Sequence, residues 1–218
     1  MNCFAHALPF LGDPYFVVGA CLPDWLAACD RKCRVREKKA RAYVETENPE
    51  FRSLARGIIQ HHQDDAWFHA SPVFNQLTLN FSVQLREVLS GDRTMRTGFL
   101  GHVLVELFLD GYLDRMNPGK LEFMYEQIGQ VDPVSIQNWI NQFASKKTEK
   151  LVRYIKSFLN ERYLFDYATD SGTLYRVNRV FHKIGLQEVG DEILEWMPAA
   201  RQSVEDHAAD IYPWLMQK

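Results

Sequence analysis

Two polar ladders constrain this chain more than any other feature: His61, Asp65 and His69, then His102, Glu106 and Asp110. Within each, the members stand four residues apart. An α-helix advances about 100° per residue, so steps of four drift by only about 40° and keep all the members on one face. The second ladder runs through FLGHVLVELFLDGYL, where the residues between its members are almost all apolar. A helix that is apolar around most of its circumference is buried. Buried imidazoles and carboxylates are costly unless they are paired or bound to a metal. Two such ladders facing each other would make a metal site.

The rest of the composition narrows the class. A chain of 218 residues can bury one sizeable core. The formal charge of −3 leaves no basic footprint, so no nucleic-acid partner is expected. A small phosphorylated ligand stays compatible, because a bound metal supplies local positive charge. The cysteines, Cys3, Cys21, Cys29 and Cys33, crowd into the N-terminal part of a chain that is neither short nor Cys-rich. They are expected as free thiols in a reducing compartment, and Cys29-x3-Cys33 lacks a second pair to complete a metal site. The opening MNCFAHALPFLGDPYF has no basic start, and His6, Pro9 and Asp13 break its apolar run, so it does not read as a signal peptide. No uninterrupted apolar stretch approaches the ~18 residues of a membrane span. A cytoplasmic location is expected.

Turn signals mark the chain at PDW 23–25, NP 48–49, SP 71–72, SGD 90–92, NPG 117–119, DP 132–133 and DSG 170–172. Between them, helices are predicted over 50–69, 73–90, 94–116, 118–129, 133–144, 147–167 and 173–185. TLNFSVQL alternates like a strand, but the length of its segment favours helix. In the closing stretch 187–215, Pro198 should start or kink a helix. Strand signals are scarce. The expected architecture is a single all-α domain over 1–218, a helical bundle. The charge-rich stretch 30–47 reads as a solvated face or loop, with a binding patch or a flap over a site near Asp24 as the alternatives.

Imidazole nitrogen mixed with carboxylate oxygen suits zinc, manganese or iron rather than magnesium or calcium. His61 and Asp65 alone also fit a simple surface pair. His102 and Glu106 sit among Val103, Leu104, Val105, Leu107 and Phe108, which argues for burial and a site. Asp110 fits either an orienting role behind a ligand or a pairing with Arg96 or Arg115. His62 points about 100° away from His61. His62 and His69 are the candidates to protonate a leaving group, and His69, near its helix end, also suits a ligand or a phosphate contact. His182 and His207 read as structural. Arg176 and Arg179 fit phosphate contacts and exposed helical arginines equally.

The segments MNCFAHALPFLG, LPDW and ARGIIQHHQDDAWF, with the closing IYPWLM, resemble the bacterial acyl-carrier-protein phosphodiesterase family. Its motifs fall on Asn2, Ala5 and His6, on Asp24, on Gly57, Ile58, His61 and Asp65, and on His102. The resemblance implies an HD-like helical phosphohydrolase holding one or two divalent ions, usually manganese, that cleaves phosphopantetheine from acyl carrier protein. It implies His6, Asp24, His61, Asp65 and His102 as metal ligands; burial adds Glu106, which has no family counterpart. The His-x3-Asp and His-x3-Glu pairing is also similar to the trinuclear zinc phospholipase C and nuclease folds, which are secreted and have a processed N-terminus. A non-catalytic module that binds a carrier protein is the remaining alternative. On any of these readings the partner is a phosphorylated small molecule or a carrier protein.

Overall fold

The computed structural model describes residues 1–89 and 95–212. Among them, α-helices run over Cys3–Ala7 (α1), Pro14–Cys29 (α2), Glu37–Ala40 (α3), Pro49–Ala70 (α4), Pro72–Val88 (α5) and Thr97–Met116 (α6). They continue with Lys120–Gly129 (α7), Pro133–Phe143 (α8), Leu151–Glu161 (α9), Asp170–Ile184 (α10), Met197–Asp206 (α11) and Ala208–Ile211 (α12). Short 3-10 helices occupy Leu8–Phe10, Arg41–Tyr43, Tyr163–Ala168 and Asp191–Glu195, and the described residues contain no strand. The protein is all-α. No described helix is long and apolar enough to cross a membrane. The Ser90–Asp92 turn signal and the residues Pro213–Met216 of the aromatic ending lie outside the described residues.

Several turn signals work as helix starts. Asp13, Ser71 and Asp132 each accept a hydrogen bond from a backbone N–H of the first turn that follows, and each precedes a proline at the head of its helix. Such a cap contributes about 1 kcal/mol, and proline there loses no hydrogen bond the helix needs. Pro198 likewise stands in the first turn of α11. Two expectations are corrected. Pro23 does not interrupt the chain but lies inside α2. The predicted helix 147–167 is broken after Glu161, where Arg162 takes a left-handed conformation with φ 49°.

The helices gather into two compact units, each discontinuous in sequence: residues 1–66 with 117–162, and residues 67–116 with 163–218. In the first, α1 packs on α2, which also packs on α7 and α9. Trp25 is buried there, its ring centroid 4.9 Å from Phe158, which stacks on Tyr125. In the second, α5 pairs with α6, and α6 packs on the 3-10 helix Tyr163–Ala168 and on α11. A Cβ at Gly111 would stand 2.5 Å from the Tyr167 carbonyl oxygen, so α6 meets that turn backbone to backbone.

The cysteines also depart from expectation. Cys3 and Cys21 form a disulfide, and only Cys29 and Cys33 are free thiols. The packing of α1 on α2 brings the two Cα atoms to 5.0 Å, inside the usual range for a bridge.

Candidate metal centres

In the first unit the site begins with a glycine crossing. A Cβ on Gly19 would lie 2.2 Å from the Leu54 carbonyl oxygen, and one on Gly57 would lie 2.2 Å from that of Phe16. The backbones of α2 and α4 therefore touch where neither residue has a side chain. One helical turn beyond Gly57 comes His61, fully buried, with Nδ1 2.7 Å from the Ala20 carbonyl oxygen next to Gly19. That carbonyl accepts the Nδ1 proton, which leaves the Nε2 lone pair for a ligand.

His6 arrives from α1, every residue of which is buried. Its ring stacks on that of His61 with centroids 4.0 Å apart. Nε2 of His6 lies 3.3 Å from Asp65 Oδ1, and Nε2 of His61 lies 3.3 Å from Asp65 Oδ2. Asp65 thus shows one oxygen to each imidazole, and the amino group of Met1 donates to Oδ1 at 2.8 Å. The chosen donor atoms of His6, His61 and Asp65 all fall within 4.8 Å of one another. Ligands bound at 2.0–2.1 Å in a tetrahedron stand roughly 3.3 Å apart, which matches the distance of each imidazole Nε2 from its own Asp65 oxygen. Asp24 stands beside the group, with Oδ1 3.9 Å from His61 Nε2, and is not one of the converging donors.

The electrostatics favour positive charge among these groups. Burial alone would lower the His6 pKa, but hydrogen bonds with Asp64 and Asp65 outweigh it and raise it to about 9. Burial pushes Asp65 up, yet His6 and His61 hold it far below the ordinary carboxylate range. Asp24 Oδ2 is a buried atom without a hydrogen-bond partner among the described residues. Buried polar atoms are normally satisfied, so the donor set fits a divalent ion.

The second unit holds a group of its own. His69 ends α4, and Ser71 caps α5 by accepting from the Phe74 N–H, which sets Phe74 edge-on to both His69 and His102 at centroid distances of 5.0 and 5.1 Å. Close packing of α5 against α6 at Gly101 brings in the neighbouring His102, whose ring stacks on His69 at 5.0 Å. Glu106 Oε1 lies 3.3 Å from His102 Nε2 and 3.7 Å from His69 Nε2. These donors also converge within 4.8 Å. Burial opposes ionisation of Glu106, but positive charge around it, His102 and His69 included, favours its anion and holds it below its ordinary value. The histidines of this group are about a third exposed, at 36% and 38%, whereas those of the first are closed off. Asp110, one turn on, is buried.

The ladder residues fall into two groups of converging donors. His61 and Asp65 group with His6, and His102 and Glu106 group with His69, each set inside its own unit. His69 stands among the converging donor atoms, one of the placements expected for it. His62, the other expected proton donor, has Nε2 2.9 Å from the Val35 carbonyl oxygen and belongs to neither group, so it ties down the charged stretch 30–47. Arg176 pairs with Asp166 at 2.6 Å, and His207 Nδ1 stands 2.8 Å from the Ser203 carbonyl oxygen. Asp64, one of the carboxylates that make the polar set of the sequence metal-site material, is not one of the converging donors. Its one sequence signal is its place four residues after Gln60, whose amide donates to Asp64 Oδ1 at 2.7 Å.

No family model, no curated protein and no solved structure gives a significant match to this chain.

Proposed function

We propose that this protein is a divalent-metal-dependent phosphoester hydrolase. The observation that carries the reading is the convergence of donor atoms from His6, His61 and Asp65 within 4.8 Å of one another, with the Nε2 atoms of both imidazoles turned toward Asp65. The resemblance to the acyl-carrier-protein phosphodiesterase family adds His6, Asp24, His61, Asp65 and His102 as site residues and a phosphodiester as substrate class. Manganese, zinc and iron all suit the mixed imidazole and carboxylate set. A bound divalent ion supplies a water whose pKa falls to roughly 7 and neutralises charge on phosphoryl oxygens. The chain's own part is orientation. His61 is locked by the Ala20 carbonyl, and the stacking of His6 on His61 turns both Nε2 atoms toward Asp65. His69, His102 and Glu106 form the more open group, which suits contact with a phosphate ester.

A second reading, a zinc phospholipase C or nuclease-like hydrolase, is favoured by a specific observation. Asp65 offers a separate oxygen to each imidazole, as a carboxylate bridging two ions would, and a further group stands at His69, His102 and Glu106. Both readings predict stoichiometric metal in protein purified without a His-tag, and activity on bis(p-nitrophenyl) phosphate that EDTA removes and manganese or zinc restores. Metal content above two ions, with turnover of phospholipid or single-stranded nucleic acid but not of acyl carrier protein, selects the second. Protein that holds no transition metal and gains no activity on adding it overturns both.

A further inference from the structure

We propose that Asp64 is a positioning residue that sets His6 up as a ligand through its distal nitrogen; the inference rests on the metal-centre reading above. His6 and His61 form a matched pair with one difference. Each has Nε2 3.3 Å from an oxygen of Asp65. Each has Nδ1 facing an acceptor on the opposite side of the ring. For His61 that acceptor is the neutral Ala20 carbonyl at 2.7 Å, and for His6 it is the Asp64 carboxylate, with Oδ2 at 3.4 Å.

Asp64 is buried, and its second oxygen is occupied by the Gln60 amide at 2.7 Å. Gln60 and Asp64 stand four residues apart on α4, so that bond follows from helix geometry and holds the carboxylate before His6 meets it. Asp64 is not one of the converging donors. Its neighbour Asp65 is about 100° round the helix and faces the opposite nitrogen of the same ring. The DD pair thereby brackets His6, one carboxylate toward the centre and one behind it.

Behind a ligand imidazole, a carboxylate fixes the N–H to the far nitrogen, orients the ring and makes the ligating nitrogen more basic. A backbone carbonyl does the first two but carries no charge. Of the two imidazoles, His6 is thus the one whose donor strength depends on a side chain that substitution can change. The order of contact runs Gln60, Asp64, His6 and then the centre.

The test uses the full-length chain with zinc as the probe, read by competition with a chromogenic chelator and by two-dimensional NMR of 15N-histidine. Wild type with zinc should show His6 protonated at Nδ1 and bound at Nε2. Asp64→Asn keeps a carbonyl oxygen for the N–H but removes the charge. It should retain the tautomer and lose about tenfold in zinc affinity, at the low end of such losses. Asp64→Ala should lose up to about 100-fold and the single tautomer. Circular dichroism checks that each variant is folded, and if alanine fails to fold, the asparagine variant decides alone. Zinc affinity unchanged in the asparagine variant, with wild type binding normally, overturns the role of Asp64 and spares the metal reading. Wild type that takes up no zinc overturns the metal reading and this inference with it.

Discussion

At the scale of single residues, His6 and Asp65 form a buried ion pair, which on the proposed reading a metal would replace. His6 is held between Asp64 and Asp65, and its pKa rises from 6.5 to about 9 despite complete burial. A group whose folded pKa lies above its unfolded value contributes stability that is complete below the unfolded pKa and is lost as pH rises through the folded one. In EDTA, the melting temperature should therefore decline between pH 6.5 and about 9, and this group should cause no further fall above that. With zinc bound, His6 has already given up its proton, so saturated protein should lack that decline. Scanning calorimetry at matched ionic strength checks both arms. A metal-free melting temperature that stays flat or rises over the window rules out the charged His6.

Helices carry these residues into place by contacts that a sequence pattern alone does not display. The period of four in HHQDDAWFH placed His61, Asp65 and His69 correctly on one helix, and apolar spacing identified α5 and α6. The same reading could not show that Gly19 and Gly57 touch, because a close approach depends on both helices at once. It also could not pair Cys3 with Cys21 by spacing. That bridge stands three residues before His6 on α1 and three before Asp24 on α2, so it staples together two turns that carry site residues. The crossing makes a sharp prediction. In Gly57→Ala, the new methyl would stand 2.2 Å from the Phe16 carbonyl oxygen and 2.8 Å from the Ala20 nitrogen, both backbone atoms that cannot rotate away. Overpacking of this kind costs about 1–3 kcal/mol or more, and separating α2 from α4 also draws His61 off the Ala20 carbonyl. The variant should melt earlier and bind zinc more weakly. Gly129→Ala is the control, because nothing lies within 4 Å of a Cβ there and a helical position gains from alanine. Equal melting temperatures for the two variants would remove the crossing from the account.

For the molecule as a whole, the all-helical class follows directly from periodicity and capped starts, whereas the division into two units does not. Asn117 and Arg162, at two of the chain's crossings between units, fall at the NPG turn and at a left-handed residue, but the third crossing lies between Ala66 and Trp67 inside α4. A helix that runs on without a breaker gives no sign of a boundary, so the ladder His61, Asp65 and His69 looks continuous while its members serve different groups. Metal removal should expose that division. A ligand that binds only the folded state stabilises it by about 2.7 kcal/mol at 100 times its dissociation constant. For a chain of this length, each kcal/mol is about 2–4 °C. Zinc should therefore raise the wild-type melting temperature by roughly 5–10 °C per occupied group over its own EDTA reference. His6→Ala should forfeit the increment and the zinc equivalents of the first group, and His102→Ala those of the second. Each variant is compared with its own metal-free form, which cancels any cost of the substitution to the fold. Zinc that stabilises both variants as fully as wild type, with undiminished metal content, would place the ion away from both groups.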